Sequence, residues 1–180
     1  MRIKVEDTLL LVVDIQEKLV PAIWKKEELV RNCGILIEGL RALEVPMLVT
    51  QQYTRGLGET IPEIAEKLGD FTPIDKTSFS CCGAEGFWEA LEATGRKTVL
   101  LCGMETHICV LQTALDLLEK GYQVLMVEDC LSSRREEDKK MGMWRAVQAG
   151  AQPTTYESVL FELLGKAGSP AFKTISRLIR

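Results

Sequence analysis

A chain of 180 residues with 46% apolar and 27% charged residues is long enough to bury one full core and short for two. Its formal net charge of −4 gives no general attraction to phosphate backbones or anionic bilayers, so neither nucleic acid nor a membrane is an expected partner. The charged start, Met1 to Asp7, is unlike a signal peptide, and no apolar run approaches the roughly eighteen residues of a membrane span, which makes the cytoplasm the expected location.

Thr8 to Val13 is a continuous apolar, β-branched run, the pattern of a strand covered on both faces, and it ends at Asp14. Leu29, Val30, Cys33, Leu36, Ile37 and Leu40 recur at helical spacing and predict an amphipathic helix over 25–43. Val45 to Thr50 predicts the next strand, with Gln51, Gln52 and Tyr53 at its C-terminal end, followed by a loop over 54–60 that contains Arg55. A short helix over 61–68, a short strand over 72–79 leaving Lys76 near its end, and a helix over 83–94 closed by Gly95 come next. Thr98 to Cys102 predicts a strand, Ile108 to Lys120 a helix and Tyr122 to Val127 a fifth strand ending at Glu128 and Asp129. Ser132 and Ser133 offer an N-cap for a helix running to Gln148. A last short strand over 151–155 and helices over 156–164 and 170–179 complete the chain. Such alternation predicts an α/β fold, a mostly parallel, doubly wound sheet with helices on both faces in a single domain over 1–180.

In that architecture the C-terminal strand tips converge, bringing Asp14, Gln52, Lys76 and the turn from Gly103 to Cys109 toward one crevice. Cys109 stands out among six cysteines (33, 81, 82, 102, 109 and 130) because it follows a buried strand at a helix start. With Thr106 as N-cap it would occupy the third helical position, where unpaired amides lower a thiol pKa. Asp14 could then take the thiol proton, Lys76 hold the charges in place, and backbone amides of the turn receive an oxyanion. The same spacing fits a bland alternative, in which Asp14 caps a turn, Lys76 is solvated and Cys109 is core. The other five cysteines read as small buried hydrophobes, with no C-x-x-C pair, and one histidine, His107, leaves no zinc ligand set.

Leu11 to Gln16, the lysine of Asp75-Lys76-Thr77-Ser78-Phe79, and Gly103-Met104-Glu105-Thr106-His107-Ile108-Cys109-Val110 resemble the three signature segments of the isochorismatase-like cysteine hydrolases. Gln51 to Gly58 further resembles the isochorismatase-domain-containing subgroup. The resemblance implies a six-stranded three-layer α/β/α sandwich and a catalytic triad of Asp14, Lys76 and Cys109. It also implies a cis Met104–Glu105 peptide and an oxyanion hole from the Glu105 and Cys109 amides. Gln52, Tyr53 and Phe79 are candidate pocket walls, with core packing the alternative for Phe79; Gln16 and Met104 are further substrate-side candidates.

Nicotinamidases of that family carry an Asp-x-His and a further histidine for a metal, whereas here Thr50-Gln51-Gln52-Tyr53 fills that region. No metal or cofactor is therefore expected. The namesake enzyme cleaves a vinyl ether without a nucleophilic cysteine, so Cys109 points to the amidase-like branch. The expected activity is hydrolysis of the C–N bond of a small amide, ureide or carbamoyl compound through a thioester. A redox-sensing thiol protein and a non-catalytic binding or scaffolding oligomer are the alternatives, and a homo-oligomer is expected by analogy.

Overall fold

The computed structural model describes residues 2–180. All six residues of β1 (Thr8–Val13) are buried, as a strand sandwiched between two layers requires. After it come α1 (Lys26–Ala42), β2 (Met47–Gln52), the single turn α2 (Thr54–Leu57), α3 (Pro62–Leu68) and β3 (Ile74–Lys76). The second half holds α4 (Phe87–Ala93), β4 (Thr98–Met104), a π-type turn (Thr106–Val110), α5 (Leu111–Glu119) and β5 (Gln123–Ser132). It ends with α6 (Glu136–Gln148), β6 (Gln152–Thr154), α7 (Tyr156–Leu164) and α8 (Pro170–Leu178).

The strands form one six-stranded parallel sheet in the order β3-β2-β1-β4-β5-β6. Side chains alternate across it with the period of a pleated strand. Leu10, Val12, Leu100, Cys102 and Met104 pack beneath α1, α3, α7 and α8. Leu9, Leu11, Val13, Val99 and Leu101 pack against α4, α5 and α6. The result is the expected three-layer sandwich. Each fully buried leucine contributes about 1.5–3 kcal/mol, so both faces of the central strands stabilise the fold.

The chain winds outward from β1 through β2 to β3, then returns to β4 beside β1 and winds the other way. The gap above β1 and β4 is thus the switch point where an open α/β sheet leaves a crevice. Val13 pairs with Gly103 there. Gly103 has φ 117°, and a Cβ on it would lie 2.1 Å from the Val13 carbonyl oxygen. Only glycine permits so close an approach in that conformation.

Two expectations change at β5. The charged pair Glu128 and Asp129 does not end the strand but sits in a bulge: Met126 pairs with Leu101 and Leu131 with Gly103, leaving four residues opposite Cys102 alone. The bulge is occupied, since the Asp129 carboxylate accepts the Tyr156 amide at the start of α7 at 2.9 Å and its carbonyl accepts Asn32 Nδ2 at 2.8 Å. Ser132 is accordingly a strand residue, its hydroxyl donating to the Trp24 carbonyl at 2.6 Å. Helix α6 starts at Glu136 without a side-chain cap.

Candidate active site

Asp14 leaves the tip of β1 with φ 53°, a left-handed conformation that aspartate tolerates better than most residues but which still carries strain. The turn aims a fully buried carboxylate across the strand tips. Its Oδ1 accepts the Thr50 hydroxyl of β2 at 2.8 Å and its Oδ2 accepts Lys76 Nζ of β3 at 2.8 Å. Lys76 Nζ also donates to Gln52 Oε1 at 2.6 Å and to the carbonyls of Phe79 at 2.9 Å and Ser78 at 3.2 Å. Burial by itself would depress the ammonium pKa; the Asp14 carboxylate, aided by the Cys81 and Cys109 thiols, outweighs burial and raises it. A buried charge so fully partnered is stable as an ion pair, and losing either member strands the other.

Cys109 lies in the π-type turn that follows β4, where the Val110 amide reaches back five residues to the Glu105 carbonyl at 3.2 Å. The Met104–Glu105 peptide bond is cis. Cys109 is 8% exposed, and burial, followed by the neighbouring Asp14 charge, pushes its thiol pKa up to about 12. This corrects the expectation of a thiol lowered by a helix start. Thr106 is not the N-cap: its hydroxyl turns aside to the Ser132 carbonyl at 2.9 Å, and desolvation beside a carboxylate outweighs the pull of the turn's amides. The resting site is therefore a neutral thiol beside the Lys76–Asp14 ion pair.

The flanks of the turn are tied down. The Glu105 carboxylate accepts both the Arg134 amide and its Nε at 3.1 Å. His107 Nδ1 lies 2.9 Å from Ser133 Oγ, and its ring stands 3.9 Å from Glu105 and 4.0 Å from Asp138. From the other side α6 presses in through Gly142, where a Cβ would meet the His107 Cα at 2.7 Å and the Thr106 carbonyl carbon at 2.9 Å.

Of the candidate pocket walls, Tyr53 and Phe79 stand 52% and 56% exposed beside the lysine, and Gln52 binds its ammonium. Phe79 is thus not core. Gln16 and Met104 are corrections. Gln16 is fully buried, donating to the Gln52 and Gly58 carbonyls at 2.9 and 2.8 Å and accepting the Gln52 amide at 2.6 Å, so its amide is used up in pinning the loop after β2. Met104 is fully buried in the layer beneath α1. Residue types alone missed Thr50, Cys81 and Thr113, which bridge the cluster; for Thr50 the usable signal was a hydroxyl at a buried strand end. A concavity of about 480 Å³ lined by Val20, Pro21, Val30 and Ile61 lies along α1, but it holds no cysteine and no buried ion pair, so chemistry rather than volume locates the candidate site. Among the described residues no three His, Cys, Asp or Glu side chains converge as metal ligands.

The family described as the isochorismatase domain matches residues 8–158. A relative from Phytophthora sojae named secreted isochorismatase effector Isc1 is 40% identical over 177 residues, covering 96% of this chain and 84% of its own. The solved structure of MAR1 ribonuclease from Caenorhabditis elegans superposes with a TM-score of 0.93 at 40% identity, covering 99% of this chain and 92% of that one. The YcaC gene product of Escherichia coli, described as an octameric hydrolase of unknown specificity, superposes with a TM-score of 0.92 at 26% identity, covering 99% and 90%. With the family model matched over residues 8–158 and relatives alike in sequence and fold over nearly its whole length, the chain belongs to the isochorismatase domain family.

Proposed function

We propose that the chain is a metal-independent cysteine hydrolase cleaving the C–N bond of a small amide, ureide or carbamoyl compound. The observation that carries this reading is a thiol within the field of a buried carboxylate that is itself ion-paired to a buried lysine. Asp14 takes the Cys109 proton as the sulfur attacks the substrate carbonyl, and the Glu105 and Cys109 amides receive the oxyanion. The carbonyl re-forms, the C–N bond breaks, and Asp14 returns the proton to the leaving nitrogen. Asp14 then deprotonates a water that attacks the thioester carbonyl, the C–S bond breaks and the Cys109 sulfur takes the proton back from Asp14, while Lys76 keeps one positive charge beside the shared negative one throughout. Tyr53, Phe79 and Gln52 form the mouth through which substrate enters.

The raised thiol pKa fits this reading: nucleophile and base exchange a single proton, so the thiolate is needed only while Asp14 holds it. The test is a screen of small amides, ureides and carbamoyl compounds for ammonia release, with intact-mass detection of an acyl adduct. The expected result is an adduct on Cys109 and loss of turnover in Cys109→Ser. Turnover by Cys109→Ala at the wild-type rate on the same compound overturns the mechanism. RNA belongs in the screen because of the name of the C. elegans neighbour, and its cleavage with no amide turned over would replace the amide reading.

Self-association and a cytoplasmic setting belong to the same proposal. Exposed Met141 and Trp144 on α6 and the octamer described for the E. coli neighbour support an oligomer, which light scattering would detect as a mass well above one chain. Six free thiols suit a reducing compartment. No helix of the described residues is long and apolar enough to cross a membrane.

A further inference from the structure

The turn after β3 brings a second cysteine to the same site. Cys81 is fully buried and shares two threonine hydroxyls with the nucleophile's surroundings. Thr113 Oγ1 accepts the Cys81 amide at 2.9 Å and donates to the Cys109 carbonyl at 2.7 Å, so one hydroxyl bridges the two cysteine backbones. Thr50 Oγ1 lies 3.5 Å from Cys81 Sγ and donates to Asp14 Oδ1 at 2.8 Å. A hydroxyl has one proton, and this one is spent on Asp14, so the Cys81 thiol is the donor toward Thr50. Both thiols thus lie in the field of one carboxylate and one ammonium, Asp14 and Lys76, with Thr50 linking Cys81 to the carboxylate. Both belong to the same packed cluster on the α5 side of the sheet.

We propose that Cys81 is the resolving thiol of Cys109, closing a disulfide over the site when a hydroperoxide oxidises the nucleophile. The inference rests on the nucleophilic character assigned to Cys109, not on the hydrolysis. Cys109, at 8% exposure the less deeply buried of the two, meets the peroxide while Asp14 takes its proton. Its sulfur attacks a peroxide oxygen, the O–O bond breaks, and water or an alcohol leaves carrying the proton from Asp14. Cys109 becomes a sulfenic acid and the peroxide is reduced. Cys81 then attacks the Cys109 sulfur, passing its proton through Thr50 to Asp14. The S–O bond breaks, the hydroxide leaves as water with that proton, and the disulfide remains. Burial of Cys81 is no obstacle, because its only reaction partner is internal. Burial and the Asp14 charge hold the Cys81 thiol up at about 11, which keeps it reduced until the sulfenic acid appears beside it.

The test is mass spectrometry of reduced full-length protein treated with hydrogen peroxide, alkylated with iodoacetamide and digested without reductant. The expected product is the peptide pair joined through Cys81 and Cys109, two hydrogens lighter than the free peptides, from which dithiothreitol recovers the Cys109 thiol. In Cys81→Ala, over-oxidation to sulfinic acid should lower that recovery at least about tenfold, whereas Cys82→Ala should behave as wild type. Three results overturn the proposal: sulfinic Cys109 with Cys81 still reduced in the wild type, equal recovery in Cys81→Ala, or Cys109 unreacted in peroxide sufficient to oxidise free cysteine. No substrate is needed, so the disulfide can fail while the acyl adduct forms, or form while no amide is turned over.

Discussion

Asp14 does two opposing things to Cys109. Its charge is, after burial, the largest influence raising the thiol pKa, yet in the proposed mechanism it is also the group that accepts the proton. Lys76 acts in the other direction, lowering the pKa. The two can be separated by following iodoacetamide labelling of Cys109 against pH. Asp14→Asn should move the labelling midpoint down from about 12 while abolishing turnover, and Lys76→Met should move it up. Asp14→Asn leaves an ammonium, and Lys76→Met a carboxylate, buried without its ion partner, so each should cost about 3–5 kcal/mol in urea denaturation. Asp14→Asn labelling at a midpoint equal to or above that of the wild type would show that the carboxylate is not the neighbour that controls the thiol.

At the scale of elements, α6 buttresses the turn that carries Cys109. The methyl group of Gly142→Ala would collide with backbone at His107 and Thr106, and backbone cannot swing aside as a side chain can. The helix must retreat, at a cost of about 1–3 kcal/mol, and the turn loses its support. The expected outcome is a lower urea midpoint together with reduced Cys109 acylation, while Lys140→Ala, on an exposed surface pair, stays within about 0.5 kcal/mol of wild type. A Gly142→Ala protein as stable and as readily acylated as wild type would remove α6 from the account. The reasons why the sequence revealed some elements and concealed others are physical. Strands buried on both faces are continuous apolar runs, so β1 and β4 and the residues at their ends, Asp14 and the turn to Cys109, could be read directly. The β5 bulge could not, because Glu128 and Asp129 look like a strand end until Tyr156 and Asn32 are known to receive them. Nor could the π-type turn, since Thr106 has the residue type of an N-cap and only the Ser132 carbonyl shows where its hydroxyl goes. Gln16 and Met104 follow the same logic: motif position suggested a pocket, and burial assigns one to loop pinning and the other to the core.

For the whole molecule, the thiols set the alkaline limit of stability. Burial, with the Asp14 charge second for two of them, holds Cys81 at about 11, Cys109 at about 12 and Cys82 at about 12, against about 8.5 for a cysteine in an unfolded chain. Between those values the native state keeps protons that the unfolded chain has lost, so stability falls as pH rises through that window. Lys76 adds to the decline only at its upper end: its folded pKa is raised, so its contribution is fully present below about 10.4 and is lost as pH rises through the folded value. On the acid side the Asp75 carboxylate, lowered by hydrogen bonds from the Thr54 hydroxyl and amide, contributes stability above about pH 4 that disappears as pH falls; its exposure makes that effect small. Urea midpoints measured under reductant should therefore drop steadily from pH 8.5 to 10. Cys82→Ala should flatten part of that slope without touching the site, because its thiol contacts neither Asp14 nor Lys76 among its principal influences. A midpoint that stays level to pH 10 in the wild type would mean that the buried thiols ionise as freely in the fold as in the open chain, and the neutral resting state assigned to Cys109 would have to be abandoned.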